Sequence, residues 1–297
     1  MAEVYGEALV VRAPAKVNLT LRILGKRPDG YHNLDSVMQK IELADIISIR
    51  CSKQPGIHLS CPGSDLPENE SNLVWKAAAA FLRATDRTAD CGVSIVLEKH
   101  IPVAAGLGGG SSDAGAVLTG LNRLLHADLS EDALLDLGRS LGADVPFFVV
   151  PHHAVRATGI GDKMIPVFSL SDCTLLLVNP GFSVSTAWVY KNFTLTRADK
   201  VSNLSDSRKK DNLSELPDPL FNDLEKVTIE RYPELAVIKN FLLDNGASGA
   251  LMSGSGPTVF GVFPDSLGVA SSDLHHCADE LTKKYGSGVF ITRVLCN

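Results

Sequence analysis

Apolar positions along the chain switch between two periods. Val93, Ile95 and Leu97 alternate with Ser94, Val96 and Glu98, the period-two pattern of a half-buried strand, which Pro102 ends. Before it, Val74, Ala77, Ala78, Phe81 and Leu82 follow i, i+3, i+4, i+7 spacing and predict a helix over Asn69–Ala84. Ala114, Val117, Leu118, Leu121 and Leu125 predict a second helix over Ser111–Leu125. A third opens at Ser130, a favourable N-cap with Glu131 and Asp132 in the first turn, and ends near Gly142. The apolar run Phe147–Val150 follows. Pro233 suits the first position of a helix carrying Leu235, Ile238, Phe241 and Leu242, with Gly246 as its C-terminal cap. Ala8–Val11, Ile46–Ile49, Leu175–Val178, Thr258–Phe263 and Val289–Val294 read as strands, a last helix precedes the final strand, and Gly25–Gly30 reads as a turn.

These elements do not alternate regularly as βαβα, so the expected class is α+β. A length of 297 residues suits two domains. Hydrophobic residues at 45% and charged residues at 21% exclude wholesale disorder. The net charge of −6 and the lack of a concentrated basic patch argue against nucleic acid and anionic membrane as partners, while a locally positive site for a small anion remains open. No apolar run is long enough to span a bilayer, and the start, with Glu3 and Glu7, resembles no leader, so a cytoplasmic protein is expected. Six cysteines lie far apart without C-x-x-C spacing, which reads as reduced thiols. The pairs His152-His153 and His275-His276 lack companions at ligand spacing. Residues 191–219 read as an exposed polar connection, and Val201–Leu216 within it carries no motif.

The most informative stretch is Pro102, Val103, Ala104, Ala105, Gly106, Leu107, Gly108, Gly109, Gly110, Ser111 and Ser112. It follows a predicted strand and opens a predicted helix. Its glycines let backbone N–H groups converge without Cβ interference, and a helix N-terminus adds its partial positive charge, which together favour phosphate. Ser111 and Ser112 add hydroxyls for phosphate or a metal ion. A tight strand–helix turn without a ligand has the same outline, but so many glycines followed by two serines favour the phosphate site. The P-loop and dinucleotide spacings are both absent.

Lys16 lies among apolar residues on a probable strand, and Asp144 lies between a helix end and Val145-Pro146. Each alone has a structural explanation, a snorkelling strand end or a capped turn. Together they suit a Lys–Asp pair that orients a substrate hydroxyl. Ser253–Thr258 is a second small-residue loop ahead of a strand, either a plain turn or a close approach to ligand.

Three separated motifs, Pro14–Asn18, Pro102–Gly115 and Ser253–Thr258, in this order and spacing, resemble the GHMP kinases over nearly the whole chain. The resemblance implies a two-domain α+β architecture, cut here at 1–155 and 156–297, with a glycine-rich phosphate loop between a strand and a helix. Gly25–Leu34, with its Tyr31-His32, and Leu141–Phe147 narrow it to the branch acting on a cytidine-diphosphate substrate. That branch uses ATP and Mg²⁺ to phosphorylate the 2-hydroxyl of a methylerythritol on the route to isoprenoids. By this resemblance Lys16 and Asp144 are the catalytic pair, and Pro102–Ser112 binds ATP. Asn72 and Leu73, with Trp75 and Lys76, form the adenine-side wall, and Lys99 lies near the nucleotide. Tyr31 and His32 grip the cytosine, Tyr190 covers its other face, and Asn18 lies at the reacting end. No metal ligand and no oligomeric state are implied. A sibling kinase for homoserine, mevalonate or a sugar has no use for the Tyr31-His32 segment. A silent nucleotide-binding relative has no use for Lys16 and Asp144.

Overall fold

The structure is a computed structural model that describes residues 8–194, 220–265 and 270–296, with 270–272 by backbone alone. The chain forms two compact units, each assembled from separate stretches. Unit 1 takes the described part of 1–15, Leu43–Ile101 and Gly108–His152; unit 2 takes Lys16–Glu42, Pro102–Leu107 and the described part of 153–297. One crossover, at His152/His153, lies beside the sequence-based cut at 155. Two others, at 15/16 and 42/43, fall within the long strands β1 (Leu9–Lys26) and β2 (His32–Ser52), and the last two bracket the short stretch Pro102–Leu107. The short apolar stretches at 8–11 and 46–49 are only the ends of these strands, whose remaining length is masked by embedded polar residues such as Lys16, Asn18 and Gln39.

In unit 1, β4 (Gly92–Glu98) pairs antiparallel with β2 from Ile46 to Ser52 and parallel with β3 (Gly56–Ser60). The alternation on β4 is as the pattern implies: Val93, Ile95 and Leu97 are buried, and Ser94, Val96 and Glu98 are exposed. Unit 1 also holds four helices: α1 (Leu73–Ala84), which precedes β4, and α2 (Gly109–Leu124), α3 (Glu131–Leu141) and α4 (Val145–Val149) after it. α1 begins four residues later than the expected start at Asn69, because the Asn72 side chain caps it at Val74 N–H. α2 begins two residues earlier than Ser111, taking glycines into its first turn. The apolar run after Asp144 is the short α4, with Pro146 in its first turn. Glycines let these elements approach: a Cβ at Gly115 would stand 2.8 Å from Phe148 Cβ on α4, and one at Gly120 2.8 Å from Ile49 Cδ1 on β2.

In unit 2, β2 pairs antiparallel with β5 (Ala154–Gly159), which pairs with β6 (Lys163–Pro166). A separate antiparallel sheet has the order β11-β7-β10-β9, made of Val289–Arg293, Cys173–Val178, Val259–Pro264 and Gly249–Met252. All six residues of β7 are buried, which explains its unbroken apolar run. Leu251 and Met252 belong to β9, so the second small-residue loop starts at Ser253. β8 (Phe221–Asn222) pairs parallel with β1. Around these pack α5 (Thr186–Asn192), α6 (Asp223–Arg231), α7 (Glu234–Asp244) and α8 (Ala270–Tyr285). Pro233 caps α7 instead of occupying its first position, a one-residue difference in the boundary. The core joins Leu176, Val178, Ile238, Leu242, Met252, Phe263 and Leu281. Most of the polar connection over 191–219, including Val201–Leu216, lies outside the described residues.

Candidate active site

Unit 1 carries Asn72, Leu73, Lys99, Gly108–Ser112 and Asp144. α2 starts without a side-chain cap. Gly108, at φ 71°, turns the chain into the helix, and the first bond at its start runs from Ser112 N–H to Gly108 C=O at 2.9 Å. The N–H groups of Gly108, Gly109, Gly110 and Ser111 therefore have no partner within the helix. Gly110 is exposed, and a Cβ there would meet nothing within 4 Å. Ser112 Oγ is buried and makes no hydrogen bond. This is an open set of donors at the positive end of a long helix, with the chemistry of an anion site.

Asp113 lies one residue further on, buried, with Oδ2 accepting from Lys99 Nζ at 2.9 Å. Lys99 Nζ also donates to Asp45 Oδ2. Asp45 Oδ1 accepts from His100 N–H at 2.6 Å and Ile101 N–H at 2.9 Å. Burial raises the Asp113 carboxyl above the usual carboxylate range despite the opposing charge of Lys99. Burial works to lower the Lys99 ammonium, but Asp113 and Asp45 outweigh it and raise its pKa. Asp144 stands half-buried at the start of α4, and its side chain does not cap that helix. Asn72 is engaged by the protein itself, accepting from Val74 N–H at 2.9 Å and donating to Pro67 C=O at 2.8 Å. Leu73 and Trp75 are half-buried beside it and Lys76 is exposed.

Unit 2 carries Lys16, Asn18, Tyr31, His32, Pro102–Leu107 and Tyr190. Lys16 is only 4% exposed. Its backbone N–H donates to Leu107 C=O at 2.9 Å, and its Nζ donates to Asn18 Oδ1 at 2.5 Å. Asn18 Nδ2 donates to Ser36 Oγ at 2.8 Å, which fixes the orientation of the amide. Ser253 Oγ donates to Gly106 C=O at 2.9 Å, and Thr258 N–H donates to Ala105 C=O at 3.3 Å. Leu107 C=O thus holds the lysine's backbone, and the carbonyls of Ala105 and Gly106 tie this stretch to the Ser253–Thr258 loop that forms the lysine's seat. A Cβ at Gly106 would stand 2.1 Å from Ser253 O, and one at Gly254 would stand 3.5 Å from Lys16 Nζ.

The rings of His32 and Tyr190 lie 5.3 Å apart at 36°. Tyr31 is 61% exposed, and its backbone N–H is held by Asp29 Oδ1 at 3.1 Å. Burial, reinforced by Lys26, lowers the His32 pKa, which leaves a neutral ring with one acceptor nitrogen. An exposed phenol beside a neutral imidazole and a second aromatic suits a planar base with its own donors and acceptors. Sequence reasoning missed Asp45, Ser36 and any role for Asp113. They meet their partners only through tertiary structure, from 14 to 56 positions away (Asp113 to Lys99, Asp45 to Ile101).

The folds and motifs of both units are those of a GHMP kinase. The family model described as GHMP kinases N terminal domain matches residues 72–151, and the one described as GHMP kinases C terminal matches 203–273. A crystal structure of mevalonate kinase, 16% identical, shares the fold at a TM-score of 0.68, covering 97% of this chain and 100% of that one. Curated relatives are closer. The 4-diphosphocytidyl-2-C-methyl-D-erythritol kinase of Citrifermentans bemidjiense is 46% identical over 94% of this chain and 96% of its own. That of Syntrophotalea carbinolica is 52% identical over 85% and 89%. A crystal structure of 4-(cytidine 5'-diphospho)-2C-methyl-D-erythritol kinase is 30% identical, with a TM-score of 0.76 over 97% of this chain and 100% of that one. The chain belongs to the 4-diphosphocytidyl-2-C-methyl-D-erythritol kinase family. Among the described residues, no helix is long and apolar enough to cross a membrane.

Proposed function

We propose that the protein transfers the γ-phosphoryl group of ATP to the 2-hydroxyl of 4-diphosphocytidyl-2-C-methyl-D-erythritol, a step in making isoprenoid precursors. The observation that carries this reading is the 46% identity to a kinase of that name along 94% of the chain. The side chains supply a mechanism. The free N–H groups of Gly108–Ser111 and the α2 dipole hold nucleotide phosphate. The neutral His32 ring, Tyr31 and Tyr190 hold the cytosine. Asn18, fixed by Ser36, aims the Lys16 ammonium. Asp144, not used as a cap, orients the substrate hydroxyl and takes its proton. The hydroxyl oxygen bonds the γ-phosphorus as the bridging P–O bond breaks, and ADP leaves with the bond's electrons. Lys16 stabilises the negative charge of the transferring group.

Mg²⁺ fits this scheme as an ion carried by the nucleotide. Among the described residues no group of three His, Cys, Asp or Glu side chains is placed to hold a metal, while the orphaned Ser112 Oγ offers one hard oxygen. Bound there, Mg²⁺ would offset phosphate charge.

ADP release with a panel of acceptors tests the proposal: the cytidine compound, mevalonate, homoserine and galactose. Turnover with the cytidine compound alone is expected. Turnover with another acceptor would void the base-binding role of Tyr31, His32 and Tyr190. Binding of ATP without turnover on any acceptor would favour a silent nucleotide-binding protein.

A further inference from the structure

Lys99, its side chain 9% exposed, lies directly ahead of the glycine-rich stretch, where a lysine invites assignment as a phosphate contact. Its partners point elsewhere. Two of its three N–H bonds go to Asp45 and Asp113, which are both buried. Reaching out to a nucleotide would strand two carboxylates in the interior. Asp45 in turn holds the backbone N–H groups of His100 and Ile101, the chain leaving β4. Asp113 lies in the second turn of α2. The helix start also packs on this corner without slack, since a Cβ at Gly109 would stand 3.1 Å from Ile101 Cγ2 and 3.3 Å from Lys99 Nζ.

We propose that Asp45, Lys99 and Asp113 form a buried strap that clasps residues 99–101 to the start of α2, and that the Lys99 side chain is a positioning residue acting through Asp113. The proposal rests on the reading that the α2 start receives ATP phosphate. Buried ion pairs stabilise little compared with apolar packing, but removing one partner is severely unfavourable, so such a strap fixes an orientation more than it adds stability. What it fixes is the direction of the free N–H groups at Gly108–Ser111, and anion affinity falls steeply when donors are misaimed.

The test is ATP binding by calorimetry, alongside kinetics with the cytidine acceptor. Lys99→Met is expected to raise the ATP Kd about thirtyfold and Asp113→Ala about tenfold, with kcat at saturating ATP and the acceptor KM nearly unchanged. Asp113→Asn keeps an oxygen for Lys99 and should restore the Kd to within about threefold of wild type. The double variant Lys99→Met/Asp113→Ala should be no worse than Lys99→Met alone. In the unliganded protein, hydrogen exchange over residues 100–112 should quicken in Lys99→Met and not in Asp113→Asn, which keeps the test open if Asp113→Ala does not fold. The strap is overturned if Asp113→Ala binds ATP normally while Lys99→Met does not, because Lys99 would then touch the nucleotide itself. Unchanged exchange over 100–112 in Lys99→Met overturns it too. A wild-type protein that binds ATP but ignores the cytidine acceptor, with the Kd changes as expected, would fail the proposed substrate and leave the strap standing.

Discussion

The glycines at the start of α2 and those of the Ser253–Thr258 loop look alike in sequence and do opposite work. At Gly108–Ser111 the backbone donors are left open, and the order comes from ions buried beneath them: Lys99 between Asp45 and Asp113. In the second loop the backbone groups are consumed by the protein. Ser253 N–H donates to Thr258 C=O at 2.9 Å and Gly256 N–H to Ser253 C=O at 2.9 Å. Asn222 Nδ2 donates to Met252 C=O at 2.8 Å and Gly254 C=O at 2.7 Å, and Thr228 Oγ1 donates to Ser255 C=O at 3.3 Å. Its glycines are there for space and for positive φ, at 57° for Gly254 and 84° for Gly256. On the proposed function the first loop receives phosphate, while the second packs against Lys16, with Gly254 leaving room for the ammonium. Glycine content alone does not separate the two, but the fate of the backbone donors does.

Adding one methyl group to each kind of glycine breaks or sharpens this contrast. Gly106 belongs to the seat, at φ 76° with Ser253 O where its Cβ would stand. Gly106→Ala should cost about 3 kcal/mol of stability in urea denaturation. Gly110 faces open space. Gly110→Ala should leave stability within about 1 kcal/mol of wild type but raise the ATP Kd about tenfold, by covering donors. Equal stability losses at both positions would erase the distinction.

A smaller effect separates two buried lysines. Lys99 is held charged by its carboxylates, whereas burial pushes the Lys40 ammonium in unit 2 from 10.5 down to about 8. Between those values the unfolded chain binds more protons at Lys40 than the folded chain, so this site adds stability as pH rises from about 8 to about 10.5. Below that window its burial cost is full, about 3 kcal/mol. Urea denaturation of Lys40→Met against wild type should show the variant's advantage shrinking across the window. A constant difference would mean Lys40 keeps its ordinary pKa.

Much of this was legible in the sequence where a local pattern carried it. The alternation on β4, the Ser130 cap of α3, the positions of α2 and α7, and Lys16 on a strand all follow from periodicity and capping within a few residues. β1 and β2 were legible only at their ends, because Lys16, Asn18, Ser36 and Gln39 interrupt their apolar runs with polar groups that tertiary partners satisfy. The interleaved units were hidden for the same reason. Tyr31, His32 and Tyr190 came from resemblance, since a ring pair between positions 32 and 190 has no local signature. Asp113 stood in view within the glycine motif, but its meaning depends on Lys99 and on Asp45, and no spacing rule links the three.

The central claim, that this is a kinase whose Asp144 takes the proton of the acceptor hydroxyl, is tested most directly by steady-state phosphorylation of the cytidine acceptor with Asp144→Asn. The account predicts a kcat lower by about 10²–10⁴-fold with the ATP Kd and the folded state unchanged. Turnover close to wild type in that variant would contradict it.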